Sequence, residues 1–377
     1  MKLLVDRIAL RNALQRVEPA VSSKPTHPVY GGVWLEADND RLVLMANDLD
    51  LAVRDSIEQV QVERPGWVVV PGRELVDVVR DLEADTVTLE VQDGGKVELV
   101  AGEDRCVLLP IEVGTGLTES TFPSLPALEG DADFVVDKED FLLMVQSTRF
   151  ATSRTQDPRF ATEGVLLDMG DGELVLVGTD GRRLACIRRP LRRAKDGDRR
   201  KVVLLPKALD HVLRCGHDEE AEEIEVFFLD NQVGFRIGGL ETFGRVLEGT
   251  YPNYAQVIPE GGKHVAKAPR EALSRKLRLA SHLTLDTAAE VKLAFAPNDL
   301  EVASEHQGRG RASAHLEVDY AGTGVAASFN PKYLMEGLKA AHGEHVEIQL
   351  SDPARPARFV LGEGYDYVVM PLNTPTK

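Results

Sequence analysis

The apolar positions of this chain follow two rhythms that alternate three times. Over residues 7–17, Leu10, Leu14 and Val17 fall three and four apart, which puts one apolar stripe on an amphipathic helix. The spacing returns in Phe141, Leu142 and Val145 of a helix beginning near Lys138, and in Leu273, Leu277 and Ala280 of one beginning near Arg270. A second helix follows each of three prolines: Leu75, Val78, Val79 and Leu82 after Pro71; Leu209, Val212 and Leu213 after Pro206; Leu334, Leu338 and Ala341 after Pro331. Each proline closes an apolar run, and its fixed φ and missing N–H suit a helix start. Elsewhere the period is two. Val87, Leu89 and Val91 lead through Asp93-Gly94-Gly95 to Val97 and Leu99, and Ile224, Val226 and Phe228 lead through Asp230-Asn231-Gln232 to Val233, Phe235 and Ile237. Val346, Ile348 and Leu350 precede Phe359 and Leu361 in the same way, so each copy ends in a hairpin.

These markers make an α+β chain of three tandem copies, each with two helices and about eight strands. The copies divide as 1–127, 128–258 and 259–377, with turn-rich boundaries at 114–131 and 248–269. About 125 residues apiece is a common domain size, so each copy can bury its own core. Three copies of one small fold suit a segmented ring or array better than a single buried active site.

Charge changes the picture. The net charge of −17 argues against a nucleic-acid partner. The six helix segments nevertheless carry eight more basic than acidic side chains, so strands and loops hold all of the net acidity. A surface lined by those helices would attract phosphates without reading bases. Composition otherwise fits a soluble globular protein. No apolar stretch reaches the length of a membrane span, and Met1–Asp6 lacks the pattern of a signal peptide. Cys106, Cys186 and Cys215 are widely spaced, form no metal-type pair and suit a reducing cytoplasm.

Catalytic chemistry is hard to find. There is no P-loop or dinucleotide-binding glycine pattern and no Gly-x-Ser-x-Gly elbow. Gly170-Asp171-Gly172-Glu173 reads as a hairpin turn, and the nine histidines form no metal set. No cofactor is expected. The sharpest local motif is Thr179-Asp180-Gly181-Arg182-Arg183-Leu184, which reads either as a structural turn or as part of a binding site.

With Pro25-Thr26-His27-Pro28, Thr179–Ala185, Gly249-Thr250-Tyr251-Pro252-Asn253-Tyr254 and Tyr367-Val368-Val369-Met370-Pro371-Leu372 in this order, the chain resembles the bacterial DNA polymerase III beta subunits, the beta sliding clamps. The resemblance covers the whole length. It implies a head-to-tail homodimer, a six-domain ring around duplex DNA that holds a polymerase without catalysing anything itself. It places Lys24, Arg73, Arg149, Gln156, Phe160 and Lys207 toward sequence-independent DNA contact. It implies a peptide pocket between the second and third copies at Thr162, Thr179, Gly181, Arg182, Arg183, Leu184, Pro252, Val257, Val368, Val369, Met370, Pro371 and Leu372. That pocket would be an apolar groove with two guanidinium groups, suited to a short peptide with Gln and Leu or Phe anchors. It also implies a dimer edge at Arg105, Cys106, Leu108, His282 and Leu283. The implied partners are the replicative polymerase alpha subunit, the clamp loader, and translesion polymerases, ligase and mismatch-repair proteins in the cytoplasm. The chain departs from the family pattern at Thr162 where an apolar residue is usual, Gln256 where a basic one is common, Cys106 where an aromatic is expected at the dimer edge, a thin acidic cluster of Glu301 and Glu305 on the partner edge, and the extension Asn373–Lys377. A monomeric peptide-binding scaffold that does not encircle DNA is the alternative, and a hydrolase using Asp180 a more distant one.

Overall fold

The computed structural model describes residues 1–114, 120–157, 159–195, 199–284 and 289–372; the extension Asn373–Lys377 lies outside them. Six long helices occupy the expected places: Arg7–Val17, Gly72–Asp81, Lys138–Thr148, Pro206–Gly216, Arg270–Ser281 and Pro331–Ala340. A one-turn helix, Tyr254–Val257, was not expected. Caps explain the starts. The Asp6 carboxylate accepts from the Ala9 N–H (2.8 Å), and the Asn330 side chain accepts from that of Lys332 (2.9 Å). Pro71 caps its helix, whereas Pro206 and Pro331 are first residues of theirs. The stripes face inward as their spacing requires: Leu10, Leu14 and Val17 are buried, as are Leu273, Leu277 and Ala280. Each buried leucine or valine of these stripes contributes about 2 kcal/mol by leaving water.

Every repeat contributes two quartets of antiparallel strands. A flanking quartet takes its strands from both ends of the repeat. In the first repeat these are Lys2–Asp6, Thr86–Val91, Val97–Ala101 and Asp104–Leu108. A central quartet takes them from the middle: Gly66–Pro71, Gly32–Asp38, Arg41–Asn47 and Leu51–Ile57, in spatial order. The other two repeats follow the same orders. Asp171 (φ +54°) and Gly172 (φ +78°) make the two-residue turn between Val165–Gly170 and Glu173–Thr179, a conformation that Asp and Gly tolerate.

The chain folds into two compact units. The first holds a five-stranded sheet, the first repeat's flanking quartet plus Gln61–Arg64, and a ten-stranded sheet. In the ten-stranded sheet the last strand of the first central quartet, Leu51–Ile57, pairs with Leu240–Arg245, the last strand of the second flanking quartet. Its core on one face includes Trp34 stacked on Trp67, 4.4 Å between centroids. The second unit holds an eight-stranded sheet and a four-stranded one. Here Arg183–Pro190 pairs with Tyr365–Val369 by the same rule, central quartet to the next repeat's flanking quartet. Two final strands stay at sheet edges: Asp104–Leu108 and Gly310–Glu317. Among the described residues no helix is long and apolar enough to cross a membrane, and no His, Cys, Asp or Glu cluster could hold a metal ion. The three cysteines are free thiols, two of them buried.

Candidate functional site

The Thr179–Arg183 turn joins two strands of the eight-stranded sheet and is held by its own side chains. The Thr179 hydroxyl donates to the Arg183 carbonyl (2.7 Å) and accepts from the Gly181 N–H (3.2 Å). The Asp180 carboxylate accepts from the N–H groups of Arg182 (3.0 Å) and Arg183 (3.1 Å). Gly181 takes φ +80°, which costs glycine nothing. The turn reading of the motif holds, and the same turn forms one side of a cavity. The Met370 N–H donates to the Arg182 carbonyl (2.9 Å), which brings the end of the last strand alongside.

This cavity is small, about 100 Å³, and mostly apolar. It is lined by Thr179, Gly181, Arg182, Arg183, Leu184, Pro252, Val257, Val368 and Met370. Val257 and Met370 are exposed large apolar side chains, an arrangement that suits a ligand surface. The wall carrying Pro252 and Val257 is fixed by two phenols. The Tyr251 hydroxyl donates to the Val177 carbonyl (2.9 Å), and that of Tyr254 donates to Asp168 (2.9 Å). Burial alone would push the Asp168 carboxyl up. Lys201 (2.9 Å), Arg199 (3.3 Å) and Tyr254 outweigh it and hold the group below the usual aspartate range. Burial pushes both phenols well above the ordinary tyrosine range, so they remain donors.

Four expected pocket residues stand elsewhere. Thr162 is buried and held by backbone bonds to Ser153 and Phe160. Val369 is buried on the other face of its strand, Pro371 is buried, and Leu372 is exposed with its N–H donating to the Ser328 carbonyl (2.7 Å). The two arginines also differ. Arg182 is exposed, whereas the Arg183 guanidinium turns inward onto Glu336, Asp180 and the Phe150 carbonyl. The picture of two guanidinium groups offered to a ligand thus becomes one. Sequence reasoning missed Tyr251, Tyr254, Asp168 and Glu336 as supports. Only the Tyr-Pro-Asn-Tyr run signalled any of them.

Of the residues expected at DNA, Arg73 and Lys207 line one cavity of about 520 Å³ in the first unit, with Arg214, Ser22 and Ser23 beside them. Lys24 is exposed next to Ser23. Lys207 is paired with Asp48. Arg149, Gln156 and Phe160 belong to the second unit, where Arg149 is half-buried, Gln156 exposed and Phe160 covered by the Arg159 guanidinium. Arg11, Arg73, Arg275, Arg278, Lys332 and Lys339 are exposed on the helices.

At the expected dimer edge, Arg105, Cys106 and Leu108 lie on the edge strand Asp104–Leu108, with Cys106 and Leu108 packed against the core and Val107 and Leu109 exposed. His282 is exposed and Leu283 half-buried in the turn after Arg270–Ser281. The other edge strand, Gly310–Glu317, was not foreseen, although Ala312, Ala314 and Leu316 alternate with Arg311, Ser313, His315 and Glu317.

Comparison with known proteins agrees with this fold. Models of the DNA polymerase III beta subunit match in order: its N-terminal domain over residues 1–124, its central domain over 135–253 and its C-terminal domain over 255–374. The beta sliding clamp of Synechocystis is 30% identical over 394 residues, covering 99% of both chains. That of Chlamydia muridarum is 27% identical over 376 residues, again covering 99% of each. Among solved structures, the Bacillus subtilis DNA polymerase sliding clamp superimposes with a TM-score of 0.92 at 25% identity, covering 99% of both chains. The Bartonella birtlesii clamp bound to griselimycin gives 0.89 at 27%, covering 99% of this chain and all of that one. This chain belongs to the DNA polymerase III beta subunit family, the beta sliding clamps.

Proposed function

We propose that two copies of the chain close into a ring around duplex DNA and tether the replicative polymerase to it, with no chemistry of their own. The observation that carries this reading is the strand rule. Each internal junction joins the last strand of one repeat's central quartet to the last strand of the next repeat's flanking quartet. Applied once more, the rule pairs the open Gly310–Glu317 strand of one copy with the open Asp104–Leu108 strand of the next. Two unlike ends that complement each other make a head-to-tail interface, and head-to-tail interfaces close into rings when the rotation allows. Arg105, Cys106, Leu108, His282 and Leu283 would flank that junction. The domain limits 1–127, 128–258 and 259–377 belong to the same proposal.

Exposed cations such as Arg73 and Lys207 on the helices and Lys24 in a loop would face the phosphates as one group, with Arg149, Gln156 and Phe160 forming a second group beside the DNA. Contacts to phosphate alone give affinity without sequence preference, which sliding requires. The apolar cavity would take the Leu or Phe anchor of a short peptide from the polymerase alpha subunit, the clamp loader, translesion polymerases, ligase or mismatch-repair proteins. All of this would take place in the cytoplasm.

The test is topological. Loaded protein should remain on a nicked circle and leave once the DNA is linearised; equal retention on both forms rejects the ring. In solution the 41.4 kDa chain should run at twice its mass. Lys24→Glu with Arg73→Glu should lower the salt slope of DNA binding by about 0.9 for each lost phosphate contact.

A further inference from the structure

Arg183 would serve most simply as a second charge for the ligand, but its surroundings oppose that role. Its side chain is only 7% exposed. Nε donates to Asp180 Oδ2 (3.2 Å), one terminal nitrogen donates to the Phe150 carbonyl (2.9 Å), and the other is paired with Glu336. The guanidinium plane lies over the Tyr333 ring at 4.6 Å and near Phe150 at 5.3 Å. Tyr333 and Glu336 are three apart on Pro331–Ala340, so one helix face supplies both the ring and the carboxylate. The Tyr367 hydroxyl donates to the Tyr333 carbonyl (2.9 Å), which ties the same helix to the strand leading to Met370. Turn, helix and final strand are thereby bonded into one frame around the cavity. A planar fork that serves three acceptors and stacks on a ring is something lysine cannot imitate.

We propose that Arg183 and Glu336 are positioning residues for the apolar cavity. Their ion pair holds the turn so that Gly181, Arg182 and Leu184 stand at the cavity's edge, and Arg182 is the arginine that meets ligand charge. This rests on the reading of the cavity as a peptide site. It changes what the sequence motif means, because the second arginine of Arg182-Arg183 belongs to the scaffold.

The test uses the full-length dimer and two synthetic peptides with the same Leu and Phe anchors, one with Asp beside them and one with Asn. Arg183→Gln, Arg183→Lys and Glu336→Gln should each weaken both peptides equally, about tenfold, and the Arg183→Gln/Glu336→Gln pair should lose little more than either alone. Arg182→Gln should weaken only the Asp peptide, about threefold. Glu336 is partly exposed on its helix, so its glutamine variant should fold, and an unchanged thermal midpoint checks that. If the wild type binds both peptides and Glu336→Gln binds them at native affinity, the positioning role is wrong while the peptide site stands. A loss confined to the Asp peptide in Arg183→Gln, or full retention in Arg183→Lys, assigns Arg183 to ligand charge and overturns the proposal. If the wild type binds neither peptide, the peptide-site reading fails and takes this proposal with it.

Discussion

The turn of residues 47–51 in the first unit and the turn Thr179–Arg183 in the second share one backbone and differ in nearly every side chain. In both, the first side chain accepts from the N–H two residues on: Asn47 from Leu49 (2.8 Å), Thr179 from Gly181 (3.2 Å). In both, an aspartate accepts from the next two N–H groups beyond its neighbour: Asp48 from Asp50 and Leu51, Asp180 from Arg182 and Arg183. The third residue sits at φ +80° in each, Leu49 in one and Gly181 in the other. The fourth carbonyl accepts a strand-end N–H, from Arg245 (3.2 Å) in the first and Met370 (2.9 Å) in the second. The first turn is closed by an Asp50–Arg245 ion pair (2.9 Å), whereas the second presents exposed Arg182 and exposed Met370 beside an apolar cavity. A repeated fold supplies the same stage more than once, and on the reading of the cavity as a peptide site a few side chains would decide which copy binds.

The comparison can be broken by exchange. Met370→Arg with Arg182→Asp recreates the closed turn where the open one stands. Peptide affinity by calorimetry should fall about 100-fold, because a buried anchor contact is lost and a charge is put in its place. Retained affinity would show that the cavity is not the ligand site. Leu184→Ala is a poorer probe, because Leu184 is buried in the core of its sheet and its truncation would cost about 2–5 kcal/mol of stability as well.

Acid should separate the two regions next. In the first unit, buried His211 bridges the Arg16 carbonyl (2.7 Å) and the Thr242 hydroxyl (2.9 Å), and Thr242 lies on the junction strand. Burial pushes its ring down to about 4 from 6.5. The unfolded chain therefore takes up the proton first. The stability His211 confers is full above pH 6.5, falls as pH drops toward 4, and is constant below that. Between pH 7 and pH 5 the first unit should lose about 2 kcal/mol. Denaturant midpoints at the two pH values measure the loss, and His211→Gln should flatten the slope. An unaltered slope in the variant would assign the acid sensitivity to other groups.

A smaller exchange tests the backbone. Gly181→Leu should cost about 1 kcal/mol, since a side chain at this φ is strained, and Leu49→Gly should recover a similar amount. The same sign for both would mean that contacts, not conformation, decide these positions. The smallest effect belongs to Asp50→Ala. Both partners of its ion pair are near half exposed, so the thermal midpoint should record at most about 0.5 kcal/mol.

The helices were legible because each stripe needs only a dozen neighbouring residues: Leu10, Leu14 and Val17 bury where their spacing puts them. The Gly170–Glu173 turn was legible for the same reason. The junctions were not. Leu51–Ile57 meets Leu240–Arg245 across almost two hundred residues, and strand pattern records which face is buried but not which strand lies alongside. The cavity was half legible. Its motif stands in the sequence, yet nothing in Arg182-Arg183 tells which arginine turns inward. That depends on Tyr333 and Glu336, 150 residues away. The basic bias of the helices pointed to phosphate, but the pairing of Lys207 with Asp48 was hidden in the same way.

With the unpaired edges Asp104–Leu108 and Gly310–Glu317 as its joining ends, as proposed above, the chain would be, in the language of polymers, a bifunctional monomer. Such a monomer faces a competition between cyclisation and chain growth. Once one junction has formed, the second is intramolecular and sees a high effective concentration of its partner, so a cyclic dimer wins wherever the geometry lets the ends meet. Substitutions that change the angle between repeats, without touching either edge, would then shift the product from rings to filaments rather than to monomers.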